Sequence, residues 1–227
     1  MENLLTSQTQ QKENMKKKTF YHLVLDKSGS MESCWAESTQ VINKQLIELA
    51  RVQSENPDSQ ILFSICAFNQ GLRFSSEIKD IQQAQIDWAT IYPDGMTALY
   101  DAIGDSIAFV KEKAGKDLDA IHADVVMLIL TDGHENASKK HSGLDIKEMI
   151  QAYEQTEKWN FLFLGAGLDI TEVTREFGRG DKNSLSFAKN NFRASFALLT
   201  DELEDYVKSK STDQKKRDFF ENSEDSI

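Results

Sequence analysis

Three short polar clusters in this 227-residue chain carry side chains able to do chemistry. Asp26-Lys27-Ser28-Gly29-Ser30 spaces one carboxylate and two hydroxyls at alternate positions. Gly95-Met96-Thr97 adds a third hydroxyl, and Thr131-Asp132-Gly133 adds a second carboxylate. An oxygen-only donor set suits a hard cation such as Mg²⁺, with Mn²⁺ or Ca²⁺ as further candidates, because hard ions prefer oxygen and Mg²⁺ keeps part of its water shell. Each cluster alone has a plainer explanation. The serine-rich stretch reads as a strand-to-helix turn, Thr97 as a helix N-cap, and Asp132-Gly133 as a turn. Convergence of all three is what would make a site.

The elements around the clusters predict that convergence. Residues 19–25 form an apolar run ending at Asp26, which reads as a buried strand. Val41, Ile42, Leu46, Ile47, Leu49 and Ala50 recur at helical spacing until Asn56-Pro57 stops the pattern. Residues 61–68 read as a second strand, 72–78 as a short hairpin partner at an edge, and 80–91 as weakly helical. Thr97 opens an amphipathic helix bearing Leu99, Ala102, Ile103, Ile107 and Val110. The VVMLIL run at 125–130 has six apolar residues without alternation, the pattern of a strand covered on both faces. A helix over 144–159, a strand over 160–164, a helix over 170–177, a short strand over 185–188 and a closing helix over 191–207 complete the pattern. Strands and helices alternate with crossovers long enough for parallel pairing, which predicts an α/β sandwich of three layers. In open parallel sheets ligands sit outside the carboxyl ends of the strands, and the three polar clusters fall at such ends.

With these residues in place, the chain resembles the von Willebrand factor type A domains. Their metal-ion-dependent adhesion site combines Asp-x-Ser-x-Ser, a distant Thr, and an Asp after a buried strand; here those are Asp26, Ser28, Ser30, Thr97 and Asp132. The words DKSGSM, GMTALYDAI, LTDGHENAS and FLFLGAG look most like stand-alone bacterial members, over roughly residues 19–200. One departure is Met96, where relatives usually carry a second glycine. The resemblance implies a Rossmann-like sandwich with a mostly parallel sheet, one short antiparallel edge strand, and helices on both faces. It also implies that Ser28, Ser30 and Thr97 ligate the ion through hydroxyls, while Asp26 and Asp132 hold it largely through water. Neutral hydroxyls leave the ion poorly neutralised, so the partner it implies is a protein presenting an Asp or Glu carboxylate as a further ligand. Nothing in such a site requires bond-breaking.

Composition narrows the classes. A net charge of −11 opposes bulk electrostatic binding of nucleic acid or anionic membranes. No stretch reaches the roughly 18 apolar residues of a membrane span, and residues 1–18 lack the apolar segment of a secretory signal. Cytoplasmic location is therefore expected, with 1–18 as a polar leader, 19–207 as the domain, and 208–227 as a loosely held tail whose one sticky feature is Phe219-Phe220. Cys66 reads as a core thiol and Cys34 as an exposed one. His134 and His141 stand seven apart, which is not a zinc-protease spacing, and His134-Glu135 reads as a solvated loop. Gly165-Ala166-Gly167 lacks a third glycine at fingerprint spacing and reads as a tight turn. Two other functions compete with an interaction module. One is a Mg²⁺-dependent phosphohydrolase or phosphotransferase using Asp26 as nucleophile, which the serine at position 28 opposes because that chemistry needs a second aspartate there. The other is a structural subunit whose metal only stabilises the fold.

Overall fold

The computed structural model describes residues 16–119, 123–177, 181–211 and 218–220. Seven strands form one sheet: β1 (Lys17–Asp26), β2 (Ser59–Phe68), β3 (Leu72–Phe74), β4 (Lys79–Asp80), β5 (Ala123–Thr131), β6 (Trp159–Ala166) and β7 (Ser184–Phe187). Their order is β3-β2-β1-β5-β6-β7, with β4 also paired to β2. All pairings are parallel except those of β3 and β4, which run antiparallel to β2. Among the described residues five helices cover the sheet: α1 (Trp35–Glu55), α2 (Leu99–Leu118), α3 (Gly143–Gln155), α4 (Ile170–Glu176) and α5 (Phe192–Ser211).

Strand pleating explains the two cores. Successive side chains point to opposite faces, so Tyr21, Leu23, Leu25, Val126, Leu128 and Leu130 pack against α1 and α5. Phe20, Val24, Val125, Met127 and Ile129 pack against α2 and α3 on the other face. The unbroken apolar run of β5 is thus required by two cores at once. Each of its side chains is fully buried, and each contributes about 1.5 to 3 kcal/mol of transfer free energy.

The chain moves outward from β1 to β2 and then returns across β1 to β5. The order therefore reverses between the two central strands, which opens a crevice at their carboxyl ends. Asp26 terminates β1, and Asp132 follows β5 directly. Among the described residues, no helix is long and apolar enough to cross a membrane.

Several expectations need correction. Lys17 and Lys18 belong to β1 rather than to a solvated leader; the Lys18 ammonium pairs with Asp117 at 2.7 Å. Residues 1–15 of that leader lie outside the described residues. The 80–91 segment is not helical: after β4 come two isolated 3₁₀ turns, 81–83 and 88–90. The edge accordingly carries two short antiparallel strands instead of one. The third helix stops at Gln155, so Trp159 is a buried strand residue rather than a helical one. Cys34 is buried beside Met31, and both cysteines are free thiols. Phe219 and Phe220 are buried in the core on the α1–α5 face, with the Phe220 N–H donating to the Lys182 carbonyl at 2.9 Å. The rest of the tail, 212–217 and 221–227, lies outside the described residues.

Candidate metal centre

Asp26 organises the first loop. One carboxylate oxygen accepts from the Ser28 N–H and the other from the Thr131 hydroxyl, each at 2.6 Å. The first bond turns the chain sharply after β1, and the second ties the end of β1 to the end of β5. Asp26 is fully buried. Burial raises its carboxyl to about 6, against the opposing donations from Thr131 and Ser28, and the nearby charge of Asp132 raises it further. Each carboxylate oxygen thus has a protein donor, and the side chain lies beneath the loop surface.

A 3₁₀ turn, Gly29–Cys34, then presents the serines and leads straight into α1. The Ser28 and Ser30 hydroxyls stand 3.0 Å apart, and the Ser30 hydroxyl donates to Asp132 at 2.6 Å. The second loop is fastened to the first by Gly29 N–H to the Gly95 carbonyl, 3.1 Å, and by Asp94 N–H to the Lys27 carbonyl, 2.9 Å. Gly95 takes φ +74°, a left-handed conformation that favours glycine, and the Gln70 amide lies where a Cβ would be. Met96 does not displace its neighbour. Its side chain is largely exposed while Thr97 is buried, with the Thr97 N–H held by the Asn136 side chain at 2.9 Å.

Gly133 locates where these loops meet. A Cβ built there would lie 3.5 Å from both the Ser30 and the Thr97 hydroxyl oxygens. Both hydroxyls therefore border one small space beside Asp132. The five residues read from the sequence thus lie together: Asp26, Ser28, Ser30 and Asp132 are linked by hydrogen bonds directly or through one another, and Thr97 faces the same space. Among the described residues there is no group of three His, Cys, Asp or Glu side chains able to hold a metal. The donors here are mainly hydroxyls, with two carboxylates behind them, and this chemistry fits a hard, partly hydrated cation.

Residues outside the expected set complete the site. The Lys189 ammonium pairs with the second oxygen of Asp132 and donates to the Ser30 carbonyl at 2.9 Å. A positive charge thus already stands at the rim of the donor set. Lys189 comes two residues after β7, and the rule that ligands sit beyond parallel-strand ends was the available signal for it. Glu135 is an anchor rather than a solvated side chain. It accepts from the N–H groups of Tyr100, Ala137 and Ser138 at 3.0, 2.8 and 2.6 Å, fixing the loop that carries Asn136. His134 is exposed. Two other local cations are already engaged: Lys27 pairs with Asp94 at 2.6 Å, and Lys140 with Asp105 at 2.5 Å. A separate groove of about 470 Å³, lined by Gln40, Lys44, Glu48, Arg193 and Thr200 between α1 and α5, includes none of the site residues.

No family model and no curated protein matches the chain. Solved structures do. The von Willebrand factor domain of the type V pili tip protein Mfa5 from Porphyromonas gingivalis aligns with a TM-score of 0.57 at 8% identity, over 85% of this chain and 97% of that one. A von Willebrand factor type A protein from Catenulispora acidiphila gives 0.52 at 16% identity, over 82% and 42%. Proximal thread matrix protein 1 from the mussel byssus, with a zinc-occupied adhesion motif, gives 0.54 at 15% identity, over 83% and 48%. This chain spans less than half the length of the last two. The fold is that of von Willebrand factor type A domains.

Proposed function

We propose that this von Willebrand factor type A-like domain is a metal-dependent protein-interaction module rather than an enzyme. Ser28, Ser30 and Thr97 would supply hydroxyl ligands to Mg²⁺ or Mn²⁺, and Asp26 and Asp132 would hold the ion's water. A carboxylate from a partner protein would complete the shell. The observation that carries this reading is the space shared by the Ser30 and Thr97 hydroxyls beside Asp132, at the central reversal of the sheet.

The chemistry follows from the donor set. Three neutral hydroxyls leave a divalent ion with most of its charge, so an added anionic ligand binds strongly. The chain's own part is to orient. Asp26 fixes the loop through the Ser28 N–H, Thr131 locks β1 to β5, and Asn136 holds the Thr97 backbone. The mussel protein with zinc at the same type of motif lends support to a divalent ion in this fold. The pilus tip protein of the same fold lends support to an interaction role.

Affinity capture from the native host, in Mg²⁺ and in EDTA, tests the proposal. Wild-type chain should retain a partner only with Mg²⁺, and Ser28→Ala/Ser30→Ala should retain none. Capture that survives both EDTA and the double substitution would place recognition elsewhere on the surface.

A further inference from the structure

We propose that Lys189 is a tethered cation competing with the divalent ion for Asp132, and that it thereby sets the metal affinity of the centre. This inference rests on the metal-site reading above and concerns its regulation.

The Lys189 arm is built into the site. Its stem lies across Gly167 at the end of β6, where a Cβ would stand 3.0 Å from the Lys189 Cγ and 3.3 Å from its Cε. Gly167 also takes φ +70°, a conformation that side-chain-bearing residues rarely adopt. Gly165 and Ala166 close β6 rather than forming a turn, and Gly167 just beyond them clears the path along which the lysine reaches Asp132. At the far end the ammonium has three partners: the Asp132 carboxylate, the Ser30 carbonyl at 2.9 Å, and the Ser33 hydroxyl at 3.4 Å. The Asp132 side chain has no solvent exposure, whereas that of Lys189 is 34% exposed. The acceptor is thus shielded while the arm has a route out to water.

Both oxygens of Asp132 are occupied, one by the Ser30 hydroxyl and the other by Lys189. A divalent ion drawing on Ser30 and on Asp132 must loosen this arrangement. It must also enter against a positive charge only a few ångströms away. Coupling is reciprocal: whatever free energy the ion loses to the ammonium, the ammonium loses to the ion. Removing the ammonium charge should therefore tighten metal binding, although it removes an ion pair from the folded protein. A residue that merely braces the site would act in the opposite direction, because its loss would loosen the ligands and weaken binding.

Mn²⁺ titration of the full chain, with free ion measured by electron paramagnetic resonance, separates these roles. Lys189→Met should bind Mn²⁺ about tenfold or more tightly than wild type, as loss of a like charge at this range implies. Lys189→Arg, which keeps the charge, should stay close to wild type. Circular dichroism verifies folding, and Lys189→Gln replaces the methionine variant if the latter does not fold. Equal or weaker binding by a folded, uncharged variant overturns the inference while leaving the metal centre intact. Absence of Mn²⁺ binding in wild type and variant alike removes the centre itself and this inference with it.

Discussion

Gly133→Ala should separate the metal centre from the fold that carries it. The added methyl would meet the Ser30 and Thr97 hydroxyl oxygens at 3.5 Å each, which is ordinary van der Waals contact. Gly133 does not have a positive φ. The metal-free protein should therefore tolerate the change, and reduced freedom of the unfolded chain should stabilise it by up to about 1 kcal/mol. The cation site has no such slack. Mg²⁺ sits roughly 2.0 to 2.1 Å from its oxygen ligands and requires near-octahedral geometry. A methyl in the space bordered by both hydroxyls competes with the ion and its ordered water. A loss of about 1.4 kcal/mol corresponds to tenfold weaker binding, and crowding of this kind should cost at least that. Urea denaturation in EDTA measures the first effect and Mn²⁺ titration the second. Wild-type affinity in a stable Gly133→Ala protein would refute the reasoning, since the ion could not then occupy that space.

Three further outcomes are expected. His22 is fully buried, with Nδ1 against the Ser64 hydroxyl at 2.7 Å, and burial lowers it from 6.5 to about 3. Because the folded value lies below the unfolded one, its contribution is complete above pH 6.5 and is lost as pH falls towards 3; at pH 5 the loss is about 2 kcal/mol. Other groups, Asp26 among them, titrate over the same interval, so urea denaturation at pH 7 and pH 5 should show a loss about 2 kcal/mol larger in wild type than in His22→Leu, and equal losses would mean that His22 titrates normally in the fold. Asp101 accepts from the N–H groups of Lys139, Lys140 and His141 at 2.8 to 2.9 Å; burial alone would raise its carboxyl, but these donations hold it below its usual range. Asp101→Ala should cost roughly 2 to 4 kcal/mol in chemical denaturation at pH 7 by leaving those donors without their acceptor, and a cost under 0.5 kcal/mol would count against that role. Phe219 packs with its ring centroid 5.3 Å from that of Tyr206, so Phe219→Ala should cost about 3 kcal/mol, and an unchanged denaturation midpoint would show the segment to be dispensable.

The parts of the fold legible in the sequence are those whose burial is periodic or continuous. The VVMLIL run faces two cores, and the helix opening after Thr97 faces one, so burial dictated both patterns directly. Lys17 and Lys18 hid the start of β1 because their partners come from distant helices: Asp117 for Lys18 and the Lys210 carbonyl for Lys17. Polar residues paired across the fold leave no local trace. The 80–91 segment gave a false helical reading because short 3₁₀ turns lack a repeat long enough to declare itself. Phe219-Phe220 gave too little pattern to show that the core receives them. Within the candidate site, the three polar clusters were legible because each abuts a recognisable element, a strand end or a helix start. Lys189 was not, since one lysine after a four-residue strand resembles any surface lysine until the strand order places it opposite Asp132.

Electrostatics gives that lysine a further consequence. A chain of net charge −11 should repel a carboxylate-bearing partner at long range. Of the lysines near this edge, Lys27 pairs with Asp94, Lys140 with Asp105 and Lys189 with Asp132, while Lys139 is exposed. With three of these four lysines paired to carboxylates, the edge by itself offers an incoming anion limited attraction. If a divalent ion takes the Asp132 carboxylate, two positive groups become available together: the incompletely neutralised ion and the released ammonium, whose side chain already reaches solvent. The same competition that weakens metal binding would then strengthen the attraction for the partner once the metal is bound. On this account the lysine makes the edge switch more sharply between repelling and holding a carboxylate than a bare hydroxyl site could, and the acidity of the surrounding surface supplies the repulsive state.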